Sequence, residues 1–405
     1  MNAPTRFLPA AAIPYGLTDD LLLSMVERRL AAGQLSLTLP SGESRVFTGA
    51  APGPRAEVRL NRLRALRRLI TAGPVGLGEA YMDGDWDSPD LASLLELGDV
   101  NDRVLGNPLD GHPVLRLGLK VWHRLHDNSR RGSRRNISAH YDLGNSFYSR
   151  WLDQGMTYSA ALFGHPDETL AQAQERKYRA IADDIGLKPG MRVLEIGCGW
   201  GGFAELMARD YGASVVGLTL SEEQYGWARR RLAQAGLAER TEIRLQDYRD
   251  VTGRFDRIVS VEMIEAVGER WWPTYFATLR DRLLPGGKAG LQAITIADDR
   301  FESYRRGCDF IQRHVFPGGM LPSPSALQAQ ADAAGLGLAT TRCFGMDYER
   351  TLALWEDEFQ DAWPQIARQG FDTRFKRLWE FYIAYCRAGF RTKAIDVRHL
   401  LLSKG

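Results

Sequence analysis

The residues best placed to do chemistry are Glu195-Ile-Gly-Cys-Gly-Trp-Gly-Gly202, between an apolar strand-like run and a helix-like one. Glycines there let the backbone turn tightly and approach a ligand, while the next helix presents unpaired N–H groups. Gly197, Gly199 and Gly202 satisfy G-x-G-x-x-G, a pattern that is weak alone and also suits a nicotinamide dinucleotide. Two features turn the reading. Glu195 lies inside the loop, where a carboxylate repels a pyrophosphate yet suits a cationic, phosphate-free ligand. The second strand ends in Thr219-Leu220-Ser221 instead of a ribose-binding acid, with Glu222 and Glu223 close behind. Both favour S-adenosylmethionine. Cys198 reads as a small space-filler, since no activating base lies beside it in sequence.

The elements that must position this loop alternate. A polar helix (168–186) leads through LKPG into the strand MRVLEIG and a helix at 201–211. The strand SVVGL, a helix at 221–235, the strands TEIRL and FDRIVSV, a helix at 271–283 and the strand KAGLQAITI follow. Such alternation predicts an α/β fold with a parallel sheet covered on both faces. After about 300 the chain reads as mostly helical and holds 16 of the 40 aromatic residues, for which ordinary helix packing is the plain account. Residues 1–100 read as a small α+β domain, with strands at Leu35–Leu39 and Arg45–Phe47 and helices around 61–72 and 90–97. Residues 101–135 form a basic linker carrying an amphipathic helix (about 114–126), and 136–405 form the catalytic domain.

Composition narrows the classes. With 44% hydrophobic and 25% charged residues, the 405-residue chain is ordinary globular protein. A balance of 52 basic against 50 acidic side chains gives no overall pull toward nucleic acid. No [Asp/Asn]-Pro-Pro-aromatic motif is present, and the basic patches lack interleaved stacking aromatics. No stretch approaches the ~18 unbroken apolar residues of a membrane span, and the opening MNAPTRFLPAAAIPYG makes a poor signal peptide. Cys198, Cys308, Cys343 and Cys386 form no CxxC pair, so no zinc site or disulfide framework is expected, and a cytoplasmic setting fits best.

Charge is nonetheless uneven. Six arginines (Arg55, Arg59, Arg62, Arg64, Arg67, Arg68) crowd one segment, where Leu63, Leu66, Leu69 and Ile70 give a helix an apolar stripe. Arg116, Lys120, Arg124, Arg130, Arg131, Arg134 and Arg135 form a second cluster. A solvated helix face explains the first; attraction to anionic headgroups, at ~1 kcal/mol per base, is the sharper alternative.

Taken in order, HYDLGNSFYSRWL, MTYSAALF, VLEIGCGWGGF, VVGLTLSEEQ, LQDYRD, FDRIVSVEMIEAVG, FPGGMLPS and FGMDYERTLALW resemble the cyclopropane-fatty-acyl-phospholipid synthase family and the related mycolic-acid cyclopropane synthases and methyltransferases. The likeness spans about 136–402, and GEAYMDGDWDSPDL resembles the end of the family's N-terminal domain. The resemblance implies a class I S-adenosylmethionine-dependent methyltransferase core, Rossmann-like, with helical insertions that build an acyl-chain pocket. It implies methyl transfer to the cis double bond of an unsaturated phospholipid acyl chain, with cyclopropane formation. The implied partners are those acyl chains and an anionic membrane surface, bound peripherally at the inner face, with homodimer formation left open.

By the same resemblance the cosubstrate contacts are Tyr158, Ser159, Glu195, Gly197, Cys198, Gly199, Gly201, Thr219, Leu220, Ser221, Gln224, Asp247 and Tyr248. Bicarbonate, the family's base, would be held at Ala160, Glu265, Gln292, Ile294 and Tyr348. The chain departs from the pattern at three places: Ala160 replaces a common Cys, Gln292 a common His, and Ala266 a common His. A glutamine amide still donates a hydrogen bond but cannot become a cation. The departures leave lipid methylation intact and put ring closure in question, with a methyl-branched or methylene lipid as the alternative. An amine N-methyltransferase and a non-catalytic binding protein are the more distant readings.

Overall fold

The computed structural model describes residues 23–24, 26–105, 128–130, 132–133, 136 and 143–405. The chain divides into two compact units, Met1–Arg116 and Leu117–Gly405. The amphipathic helix expected at 114–126 lies outside the described residues.

In the first unit β1 (Ala32–Thr38) and β2 (Ser44–Thr48) form an antiparallel hairpin. β3 (Ala51–Leu60) runs parallel to β1, and β4 (Trp86–Asp87) pairs antiparallel with β3. β3 is absent from the sequence reading because Pro52, Gly53 and Pro54 look like a turn. Beyond them Ala56, Val58 and Leu60 turn inward in alternation with exposed Arg55, Glu57 and Arg59, the two-residue period of a strand. α1 (Arg64–Met82) runs well past the expected 61–72, through a break at Gly73-Pro74. α2 (Leu91–Leu105) packs Leu97 on Leu35 and Ala56.

This arrangement redefines the first arginine cluster. Arg55 and Arg59 stand on a strand, not on a helix flank. Arg62 and Arg64 pair with the fully buried Asp85 at 3.1 and 2.7 Å, Arg68 with Asp83 at 2.7 Å, and Arg59 with Asp87 at 3.2 Å. Four of the six arginines therefore sit against three aspartates of the GEAYMDGDWDSPDL segment, which offsets part of what an anionic surface would feel.

The second unit carries the alternating run. β5 (Arg192–Ile196), β6 (Ser214–Thr219), β7 (Thr241–Leu245), β8 (Phe255–Val261) and β9 (Leu283–Ile296) pair in parallel. The four expected helices are α3 (Leu170–Asp184), which precedes β5, and α4 (Gly202–Asp210), α5 (Glu222–Gln234) and α6 (Trp272–Arg282), which lie between strands. Local chemistry fixes their starts: Thr169 and Gln172 form a reciprocal capping box on α3, and Ser221 caps α5. α3, α4 and α5 cover one sheet face through Ile181, Phe203, Met207 and Leu232, while α6 and α7 (Pro324–Ala333) cover the other through Phe276, Leu279, Leu327 and Ala331.

The C-terminal region is not purely helical. α8 (Gly345–Ala367) and α9 (Thr373–Arg391) are joined by two further strands, β10 (Gly337–Cys343) and β11 (Ile395–Ser403). The sheet order is β10-β11-β9-β8-β5-β6-β7, with β11 antiparallel to both neighbours. The sheet is thus mixed at one end, where an all-parallel one was expected. Many C-terminal rings pack on one another: Trp355 and Trp379 close around Trp151 at centroid distances of 5.6 and 5.9 Å, and Phe147 meets Trp379 at 5.2 Å.

Candidate active site

At the carboxyl end of β5 the chain turns through left-handed glycines. Gly197 and Cys198 donate to the Leu218 carbonyl at 3.0 and 2.9 Å, tying the loop to β6. Gly199 (φ +51) has open space where a Cβ would stand, whereas at Gly201 (φ +84) a Cβ would come within 3.0 Å of Ala228. The first glycine lets the backbone border a cleft; the second lets α4 and α5 pack closely.

Ten of the thirteen expected cosubstrate residues line this cleft: Tyr158, Ser159, Glu195, Gly197, Cys198, Gly199, Thr219, Leu220, Gln224 and Tyr248. The other three do structural work beside it. Gly201 precedes α4, Ser221 Oγ accepts from the Gln224 N–H, and Asp247 is ion-paired with Arg249 at 2.6 Å. Gln246 lines the cleft in place of Asp247. Cys198 is buried and its thiol is pushed far up by desolvation, which agrees with a space-filler.

The cleft suits a cation that brings its own donors. Glu195 is 3% exposed, and its Oε2 has no hydrogen-bond partner among the described residues. Burial raises its carboxyl to about 8. Thr219 donates to Gln224 Oε1 at 2.9 Å, which leaves the Gln224 amide nitrogen as a donor to the cleft. An orphan carboxyl, a glycine-bordered gap and no phosphate-binding cation among the lining residues fit S-adenosylmethionine.

Next to the glycine loop sits a carboxylate that sequence reasoning missed. Glu262 follows β8 with φ +49, a left-handed conformation costing a non-glycine residue about 1–3 kcal/mol. Its N–H donates to the Gln292 carbonyl at 2.8 Å, which fixes the turn. Its Oε1 accepts from the Ala160 N–H at 2.8 Å and from Gln292 Nε2 at 2.7 Å, and Tyr348 OH donates to Oε2 at 3.0 Å. Three of the five groups expected around bicarbonate therefore converge on this side chain. The Ile294 N–H is taken by Glu265 Oε1 at 2.5 Å.

Two further residues complete the cluster. Lys177, wholly buried on α3, donates to Ser159 Oγ at 2.6 Å and attracts Glu262 electrostatically. Desolvation pulls its ammonium down to about 7, and desolvation pushes the Glu262 carboxyl up. His399 Nε2 lies 3.0 Å from Gln292 Oε1. Glu265 is raised to about 8, first by burial and then by Glu262, and its Oε2 is unpartnered among the described residues. The missed residues left traces in the sequence: Glu262 stands three before Glu265, and Lys177 falls four residues from both Ala173 and Ile181 on the buried stripe of α3.

A seven-stranded sheet with its antiparallel β11, a glycine loop closing β5 and an orphan carboxyl within it define a class I S-adenosylmethionine-dependent methyltransferase. The model of one family, mycolic acid cyclopropane synthetase, matches residues 128–400, and the chain belongs to that family. The tuberculostearic acid methyltransferase of Mycobacterium tuberculosis is 40% identical over 400 residues, covering 96% of this chain and 91% of its own. The cyclopropane-fatty-acyl-phospholipid synthase of Escherichia coli is 37% identical over 363 residues, with 89% and 90% covered. A crystal structure of a mycolic acid cyclopropane synthase complexed with SAH and CTAB matches with a TM-score of 0.62 at 30% identity, covering 67% of this chain and 98% of that one.

Proposed function

We propose that the protein methylates a cis double bond in an unsaturated phospholipid acyl chain, with S-adenosylmethionine as the methyl donor. The observation that carries this reading is the adjacency of two things in one cleft: a pocket for a sulfonium cosubstrate and a carboxylate held by three donors. A plain alkene is a weak nucleophile, and the carbocation it becomes must lose a proton to a nearby base. The ring of Tyr158 lines the cleft and is backed by Trp355 at 5.2 Å, which in turn meets Tyr348 at 5.9 Å; an aromatic face of this kind is worth about 0.5–2 kcal/mol toward a cation.

Ring closure is the first reading of the product, supported by the Escherichia coli relative. Gln292 in place of histidine, together with the name of the tuberculostearic acid relative, favours a second product without a ring. In this proposal residues 1–100 serve as a lipid-associated domain, 101–135 as a basic linker and 136–405 as the catalytic domain, working at an anionic membrane surface. No helix among the described residues is long and apolar enough to cross a membrane.

The test incubates purified protein with labelled S-adenosylmethionine and vesicles of cis-unsaturated phospholipid. Label is expected in the acyl chains. Mass spectrometry after double-bond derivatisation separates the products: loss of alkene reactivity marks a ring, and retained unsaturation marks a methyl-branched or methylene chain. Label confined to headgroup amines would overturn the reading.

A further inference from the structure

We infer that Glu262 is the general base of this enzyme, a resident carboxylate standing in place of a bound bicarbonate. The inference rests on the acyl-methylation reading and concerns where its proton goes.

A bicarbonate cradle needs free donors, and here they are committed. The Ala160 N–H and Gln292 Nε2 both reach Glu262 Oε1, Tyr348 OH reaches Oε2, and the Ile294 N–H reaches Glu265. Each donor aimed at an anion is met by a side-chain carboxylate of this chain, so the residues present do not fit a further anion. The Gln292 amide is held at both ends: its nitrogen donates to Glu262 Oε1 at 2.7 Å and to the Ala160 carbonyl at 3.3 Å, and its oxygen faces His399 Nε2 at 3.0 Å. Burial keeps the His399 ring neutral, and with Nε2 facing an amide oxygen that can only accept, the Nε2–H tautomer is the one that makes the bond.

The arrangement also selects the accepting atom. Oε1 is saturated by two donors, while Oε2 takes one and keeps a lone pair. Burial pushes the Glu262 carboxyl up, as suits a group that must take a proton, while the three donors and the Lys177 ammonium oppose that rise and support its ionised form. Glu262 lines the same cleft as Glu195 and the glycine loop, and its left-handed backbone places it there at a conformational cost.

The step balances without another reactant. The π pair of the alkene forms the new carbon–carbon bond as the carbon–sulfur bond breaks, leaving S-adenosylhomocysteine and a carbocation on the adjacent chain carbon. A C–H bond near the cation supplies the electron pair that quenches it, closing a ring or making a double bond. The released proton goes to Glu262 Oε2. The resulting carboxylic acid returns the proton to solvent after product leaves.

The experiment uses the full-length protein with unsaturated phospholipid vesicles, in buffer stripped of carbon dioxide and in the same buffer with added bicarbonate. Wild-type turnover is expected to agree between the two within about twofold, and E262Q to lose about 100-fold or more in kcat. E262Q should still bind S-adenosylhomocysteine and keep the wild-type melting temperature within a few degrees. E262A clears the three donors, and activity restored to it by bicarbonate would support the assignment. Wild-type activity that collapses without bicarbonate, or E262Q turnover near wild type, would overturn it while leaving lipid methylation standing. A wild-type protein that never labels acyl chains would instead refute the methylation reading.

Discussion

Gln292 and His399 face each other in register across β9 and β11, and His399 Nε2 lies 3.0 Å from Gln292 Oε1. The contact decides which end of the amide meets Glu262. His399→Leu is therefore expected to free the amide to rotate and to lower kcat about 5- to 30-fold, the equivalent of about 1–2 kcal/mol. Binding of S-adenosylmethionine, measured by calorimetry, should not change. Equal losses in kcat and in cosubstrate affinity would point to general damage.

The same histidine carries a pH signature. Burial pulls its imidazole down to about 3 from an ordinary value of 6.5. Between those values the unfolded chain binds the extra proton, so stability falls as pH drops from 6.5 toward 3. Urea titrations across this window should give His399→Leu a flatter acid dependence than wild type.

Tyr348 donates to Glu262 Oε2 while its ring packs on Phe390 at 4.9 Å. Tyr348→Phe keeps the ring and deletes one donor to a charged acceptor, a change of about 1.5–3 kcal/mol. The expectation is a 10- to 100-fold loss in turnover, about the same free energy expressed as rate. Folding stability should fall by no more than about the same 1.5–3 kcal/mol. A variant with wild-type turnover would detach Tyr348 from the base.

Lys177 favours the ionised form of Glu262, and Lys177→Met removes that influence. The Glu262 carboxyl must then rise further, so the acid limb of the pH–rate profile moves to higher pH. An unmoved limb would show that the lysine serves only Ser159.

Glu195, raised to about 8 by burial, is protonated at neutral pH before a ligand arrives. Pairing with a cation requires that proton to leave, so affinity for S-adenosylmethionine should climb by up to about tenfold per pH unit below 8 and level off above it. Calorimetry in buffers of different ionisation enthalpy should record close to one proton released at pH 7. Glu195→Gln should weaken binding and abolish the slope; an unchanged slope would assign the proton elsewhere.

The alternating core was readable because each apolar run is bounded by its own turn and cap, as at LKPG before β5 and Ser221 before α5. The cleft was readable for the same reason: Glu195 and Thr219 lie at strand ends and Gln224 in the first turn of α5. What escaped depended on pairing across long sequence separations. β11 carries Asp396, Arg398 and His399 among its apolar residues, and only its antiparallel place beside β9 makes a strand of it. Glu262 looked like one more acid near Glu265; its meaning arises from Ala160, Gln292 and Tyr348, brought together by three separate segments.

The left-handed backbone at 262 has an evolutionary corollary. That geometry suits glycine better than any other residue, so a glycine here would ease the turn, delete the acid and release three donors toward whatever small anion diffuses in. Glycine and glutamate codons can differ by a single base. With Glu262 as the base, one point mutation at this corner would separate a catalyst dependent on dissolved carbonate from one indifferent to the atmosphere in which its host grows.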